Sequence, residues 1–228
     1  MKTIVKILLG IAILFLAYMT IMSIRVPIHF NSERQARERV IIAQLIDIRR
    51  AQLEFREQHG RFVSTMDSLV DFVRYGTKNI ILREGALTEW HLENGITEAR
   101  AAQIVASGNL AEIESNHLTG FRRDTTVIAV IDDLFPTGRF TRENVHRLAI
   151  IPFSENRQFE IAVNNEFRNA LDIRIPLFEV RAPWRLFLHD LDRQLLANEE
   201  HFANELGRFP GLQVGSILGP NNNAGNWE

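Results

Sequence analysis

The 228-residue chain contains no cysteine. That absence removes disulfides, thiolate metal sites and a cysteine nucleophile together. It does not choose a compartment, because a body of about two hundred residues builds a core that needs no covalent staple. An excess of one charge is missing too: 26 Lys and Arg face 28 Asp and Glu, for a net charge of −2 and a pI near 6.4. A general nucleic-acid binder would show a basic face, so no nucleic-acid partner is expected. No N-x-S/T sequon occurs, which fits poorly with a glycosylated eukaryotic ectodomain.

Local catalytic signatures are absent as well. There is no GxGxxG, P-loop, HExxH, GxSxG or EF-hand loop. The seven histidines, at 29, 59, 91, 117, 146, 189 and 201, include no helical i, i+4 pair of the kind that holds a metal, and surface or capping roles are expected for them. The densest polar cluster is His189, Asp190 and Asp192 at the start of a helix, where acids complement the helix dipole. Asp132-Asp133 reads as a strand-end turn. Arg34, Arg37, Arg39, Arg49 and Arg50 alternate with Glu33, Glu38 and Asp47, which favours local pairing and solvation over a phosphate or lipid-headgroup site. No enzyme, no catalytic or metal-ligating residue and no cofactor is expected.

What the chain does have is an uncharged apolar run at residues 7–24, ILLGIAILFLAYMTIMSI. Eighteen residues nearly match the hydrocarbon thickness of a bilayer, and Ile4 and Val5 extend the run past a Lys6 that can snorkel. The segment before Arg25 offers no small-residue pair of the A-x-A type, so an uncleaved anchor is expected rather than a signal peptide. Lys2 and Lys6 precede the run and Arg25, Arg34, Arg37 and Arg39 follow it, so charge does not give its orientation.

Beyond the run, Pro27 should interrupt the helix, and Asn31-Ser32, with Gln35 at capping-box spacing, should restart it. Ile41, Leu45, Ile48, Gln52 and Phe55 then step by three and four, widened by Ile42, Ile46 and Leu53, with Asp47, Arg50, Glu54 and Gln58 opposite. Gly60 should cap this long helix and Ser64 with Asp67 should open a shorter one. Thr97 should cap another, with Trp90 and Leu92 packed on it. Strands are expected over 125–131, 148–153, 158–163, 173–180 and 212–218, the second and third joined by a hairpin at Ser154 to Asn156. Pro176 would place the fourth at an edge or at a bulge. A helix over 185–206 should bury Leu188, Leu191, Leu195, Phe202 and Leu206.

Helices first and strands later predict an α+β chain. Its expected parts are a transmembrane anchor (1–26), a juxtamembrane stalk helix (27–60), a globular body (61–218) with an antiparallel β-sheet and a C-terminal helix packed on it, and a flexible tail (219–228). The stripe Ile41, Leu45, Ile48, Gln52 and Phe55 must be covered by something. Its own domain is one answer. Neighbouring copies or partner membrane proteins are the other, and the stripe is the candidate interaction surface.

The apolar N-terminal helix, Pro27, the continuing helix RVIIAQLIDIRRAQLEF at 39–55 and then His59-Gly60-Arg61-Phe62 resemble the type IV pilin and type II secretion pseudopilin family over about sixty residues. The resemblance implies an antiparallel sheet packed on that helix, a bacterial envelope protein of the inner membrane, and a body on the periplasmic side. Gly10 is followed by Ile11 and no acid precedes Ser32, so the prepilin cleavage pattern is absent and an unprocessed anchor is expected. The functional expectation is a single-pass assembly component that contacts the lipid bilayer and other envelope proteins, with a homo-oligomer among the options. A membrane-anchored ligand-binding or sensory domain is the alternative, and an anchored hydrolase using His189, Asp190 and Asp132 is the third.

Overall fold

A computed structural model describes residues 2–228. In chain order the elements are α1 (Lys2–His59), α2 (Met66–Tyr75), β1 (Thr77–Glu84), α3 (Glu89–Glu93), α4 (Glu98–Ala106), α5 (Leu110–Ser115), β2 (Arg122–Ala129), α6 (Val130–Leu134), β3 (Glu160–Asn164), β4 (Leu177–Pro183), α7 (Trp184–Phe187), α8 (Arg193–Glu205) and β5 (Gly211–Gly215). The chain is α+β, with a long apolar N-terminal helix and antiparallel sheets. It forms two compact units, one of residues up to 74 with 139–228 and one of residues 75–138.

The first unit is built on α1, and Pro27 lies inside that helix rather than ending it. A proline removes a single N–H, here the one that would reach the carbonyl of Ser23, and helical bonding on both sides carries the rod through. No second helix start is needed at Asn31-Ser32. Gly60 ends α1 in a left-handed conformation (φ +70°), its N–H donating to the Arg56 carbonyl at 2.8 Å, the expected cap.

Against α1 lies a three-stranded antiparallel sheet in the order β3-β4-β5, in which Val180 pairs with Ile161 on one side and Val214 on the other. The strand after Pro176 is thus central and not an edge. The proline sits one residue before β4 and Pro183 closes it, so neither interrupts the ladder between them. Phe62 packs on Phe178 with ring centroids 4.6 Å apart.

The strand expected over 148–153 does not form. A 3-10 turn occupies Val145–Ala149, followed by a single bridge between Ile150 and Gln158. The reason is a tertiary contact: the carbonyls of Arg147, Leu148 and Ile150 accept the Gln44 side-chain amide, at 2.7, 3.0 and 2.9 Å, instead of a neighbouring strand. Ser154 to Asn156 forms a tight turn, with Glu155 and Asn156 at φ +51° and +67°, but not a true hairpin.

The helix expected over 185–206 is broken at 188–192 into α7 and α8. Asp192 caps α8 by accepting from the N–H groups of Gln194 and Leu195, both at 3.0 Å. α8 buries Leu196 and Ala203 and leaves Phe202 and Leu206 exposed, so its apolar face is rotated from the expected one. Residues 219–228, expected to be mobile, pair with β5. Val214 bridges Gly225, the Asn226 N–H donates to the Gln213 carbonyl at 2.9 Å, and Glu228 meets Arg49 at 2.7 Å.

In the second unit β1 and β2 pair along their whole length, from Thr77 opposite Ala129 to Glu84 opposite Arg122. Residues Val130 and Ile131, expected to continue the strand, begin α6. α3, α4 and α5 enclose a small core of Ile96, Ala101, Ile104, Leu118 and Phe121. Thr97 caps α4 as expected, accepting from the Arg100 N–H at 3.4 Å. Trp90 and Leu92 are exposed, and His91 is the buried residue of α3. Its Nδ1 accepts the Thr88 N–H at 2.9 Å and its Nε2 lies 3.2 Å from the His117 carbonyl, so the imidazole is a cap of this small core rather than a surface group.

Candidate functional site

Position along α1 decides what each part of it can touch. Over residues 6–24 every described side chain is exposed on all sides of the helix, whereas from Phe30 onward the same helix is the core of its unit. One helix is therefore long and apolar enough to cross a membrane, and its most apolar stretch is 0% buried. Such a segment could serve as a membrane anchor or a signal sequence.

The stripe proposed from the sequence as an interaction surface is occupied from within the chain. Ile41, Leu45, Ile48 and Gln52 are 0% exposed. Phe55, at the stripe's far end, is half-buried, stacked on His59 at 4.1 Å and edge-on to Phe72 at 5.0 Å. The helix does not hold the body away from its apolar run as a stalk would, because the body begins to cover it at Phe30, six residues past Ile24.

Two residues expected on the water face, Asp47 and Glu54, are buried, and so is Gln44. Sequence periodicity missed Gln44 and Asp47 because each polar head finds a specific partner in a segment distant along the chain, whereas Glu54 accepts from Gln58 on the next turn of α1 at 2.9 Å. Gln44 satisfies the three carbonyls of the 3-10 segment. Asp47 meets Arg139 at 2.7 Å. Burial still pushes the Asp47 carboxyl above its ordinary value, against the pull of Arg139 and then Arg50. Gln52 makes a reciprocal pair with Val63, donating to its carbonyl at 2.9 Å and accepting its N–H at 3.0 Å.

A strap ties the α7–α8 region to α1. Arg37 is bidentate to Asp190, with Nη2 to Oδ2 at 2.8 Å, and its Nη1 also donates to the Phe187 carbonyl at 2.7 Å. At the next residue, Trp184 Nε1 donates to Glu38 at 2.9 Å, and one turn earlier Arg34 meets Glu199 at 2.6 Å. The expectation that these arginines pair locally along the helix is therefore corrected for Arg34, Arg37, Arg49: their carboxylates come from residues 190–228.

The Arg37 hydrogen bonds hold the Asp190 carboxyl down at about 2, from an ordinary 3.8. A depressed carboxyl contributes stability that is present above its unfolded value and is lost as pH falls through the folded one. The difference in stability between the native chain and Asp190→Asn should thus be constant above about pH 5 and vanish as pH falls from 3.8 through about 2. Thermal melts of the two proteins across that range check it, and a pH-independent difference would remove the charge from the account.

Two of the groups considered for hydrolysis have partners in the fold. Asp190 is held by Arg37, His189 lies 3.6 Å from Glu155, and Asp132 belongs to the second unit, where its neighbour Asp133 meets Lys78 at 3.4 Å. Among the described residues no three His, Asp or Glu side chains converge in a metal-ligating group.

Two grooves open on the first unit. One, of about 590 Å³, lies between α1 and the α7–α8 link, with Arg25 and His29 from α1 and Asp190 and Asp192 from the link. The other, of about 380 Å³, has Arg139, Arg147, Asn144 and Phe140 in its wall. No protein-family model, no curated protein and no solved structure matches the chain.

Proposed function

We propose that the chain is a single-pass membrane protein of the bacterial envelope that acts as a structural or assembly component through protein contacts, without catalysing a reaction. The observation that carries this reading is the division of α1: its first half is apolar and uncovered on every side, and its second half is the core of the body. A continuous rod of this kind transmits position. Whatever docks on the body is held at a fixed height and angle from the bilayer. The resemblance of residues 1–60 to pilins and pseudopilins supports the envelope setting and a periplasmic body. With Ile41, Leu45 and Ile48 covered, the contacting surface lies elsewhere, and Phe202 on α8 and Leu206 at its C-cap are large apolar side chains left in solvent.

A photo-crosslinking residue at Phe202 or Leu206 in cells is expected to yield adducts with other envelope proteins or with a second copy. Uncrosslinked monomer at both positions, with crosslinking seen for a known assembly protein in parallel, would contradict the reading. The groove at Arg139 and Arg147 favours one alternative, an anchored domain that binds a small anion. Saturable binding of inorganic phosphate or citrate, lost in Arg147→Gln, would favour it.

A further inference from the structure

The groove between α1 and the α7–α8 link begins at the place where the apolar run ends. Its α1 wall carries Met22 and Val26, with Arg25 and His29 beside them, and the facing wall carries Asp190, Leu191 and Asp192. No hydrogen bond or ion pair engages Arg25 or His29 among the described residues. The opposing carboxylates are fixed by the fold. Arg37 clamps Asp190, and Asp192 uses one oxygen to cap α8, leaving Oδ2 without a hydrogen-bond partner. The cleft thus sets Arg25 and His29 against the Asp192 carboxylate and the Arg37-bound Asp190, over an apolar floor.

If residues 7–24 cross the hydrocarbon, Arg25 is the first residue at the depth of the lipid headgroups, and the cleft opens at that depth. We infer that this groove binds the headgroup of a phospholipid bearing both a phosphate and a primary ammonium, of the phosphatidylethanolamine class. The phosphate meets Arg25 and His29, the ammonium donates to Asp192 in the field of Asp190, and the first acyl carbons lie along Met22, Val26 and Leu191. Charge complementarity selects this occupant. A purely anionic headgroup brings no cation to the carboxylate wall, and a trimethylated headgroup has no N–H to donate to Asp192. A bound lipid would lock the body in one orientation on the bilayer. The inference rests on the reading of residues 7–24 as an anchor, and its test separates the two.

The full chain is reconstituted in vesicles of equimolar phosphatidylethanolamine, phosphatidylglycerol and phosphatidylcholine, checked by flotation, extracted gently and analysed for retained lipid by native mass spectrometry. The chain is expected to float and to retain phosphatidylethanolamine over each of the others by about two- to fivefold, the ratio that one partly exposed charge pair supplies. Arg25→Gln and Asp192→Asn should each abolish the preference, and asparagine at 192 keeps an oxygen to cap α8. Flotation with equal retention of the three lipids overturns the headgroup site while leaving the anchor standing. Preference for phosphatidylglycerol overturns it too, since Arg25 alone would then account for binding. A chain that does not float overturns the anchor and this inference with it.

Discussion

Replacing Gln52 by leucine should destabilise the first unit by about 2–5 kcal/mol, although the substitution swaps one side chain of moderate size for another and adds apolar surface to a core. The side chain is 0% exposed and makes a closed pair of hydrogen bonds with the backbone of Val63. Leucine leaves both Val63 groups buried and unpartnered, and each such group costs roughly 1–3 kcal/mol. The segment after Gly60 would also lose the tether that folds it back along α1. Chemical denaturation of the full chain in micelles measures the change, with Gln35→Leu on the exposed face as a control within about 0.5 kcal/mol of the native value. Gln52→Glu separates hydrogen bonding from packing. The carboxylate still accepts the Val63 N–H but faces the Val63 carbonyl with a second acceptor, and burial raises its folded pKa. Its deficit should therefore be largest at neutral pH and shrink as pH falls and the protonated acid donates to that carbonyl. A deficit that does not change with pH would mean the pair matters only as packed volume.

The second large effect is expected at the middle of the apolar run. Arginine at the centre of a membrane-spanning helix costs about 2.5–3.5 kcal/mol on insertion-derived scales, so Leu14→Arg with Phe15→Arg should oppose insertion by roughly 5–7 kcal/mol. Neither residue contributes to the core, since Leu14 and Phe15 are 72% and 61% exposed. The double variant should shift from the membrane fraction to the soluble fraction or be degraded there, while the body retains its protease-resistant core. Retained membrane association would show that the body, and not residues 7–24, holds the protein at the bilayer.

The membrane-compatible run, the Gly60 cap, the Thr97 cap and the antiparallel pairing of the C-terminal strands were legible because each depends on local chemistry or simple periodicity. The failures share a different cause. Pro27 was overestimated as a breaker because the rule that stops a short helix does not weigh the many turns of helical bonding on either side of a proline in a long one. Leu148, Ala149 and Ile151 look like a strand by composition, yet the carbonyls of Arg147, Leu148 and Ile150 in that segment are taken by the side-chain amide of Gln44, more than a hundred residues earlier. Asp47 and Glu54 look like solvent-facing positions by spacing, and the burial of Asp47 depends on where Arg139 arrives. β1 escaped notice because its eight residues mix charge with apolar side chains, and it is defined by its register with β2 rather than by its own pattern.

The interaction stripe shows the same limit from the functional side. Ile41, Leu45 and Ile48 announce that a surface must be covered, and nothing in their spacing says whether the chain or another protein covers it. The fold answers with β5, the 3-10 turn and the tail, and so moves the search for a contacting surface to α8 and to the groove at Arg25.

The central claim is that residues 7–24 remain attached to the body and hold it at a membrane. The intact mass of the chain recovered after alkaline carbonate treatment of cell membranes tests this most directly. The account predicts a carbonate-resistant protein whose mass includes residues 7–24; a shorter chain lacking them, recovered in the soluble fraction, would contradict it.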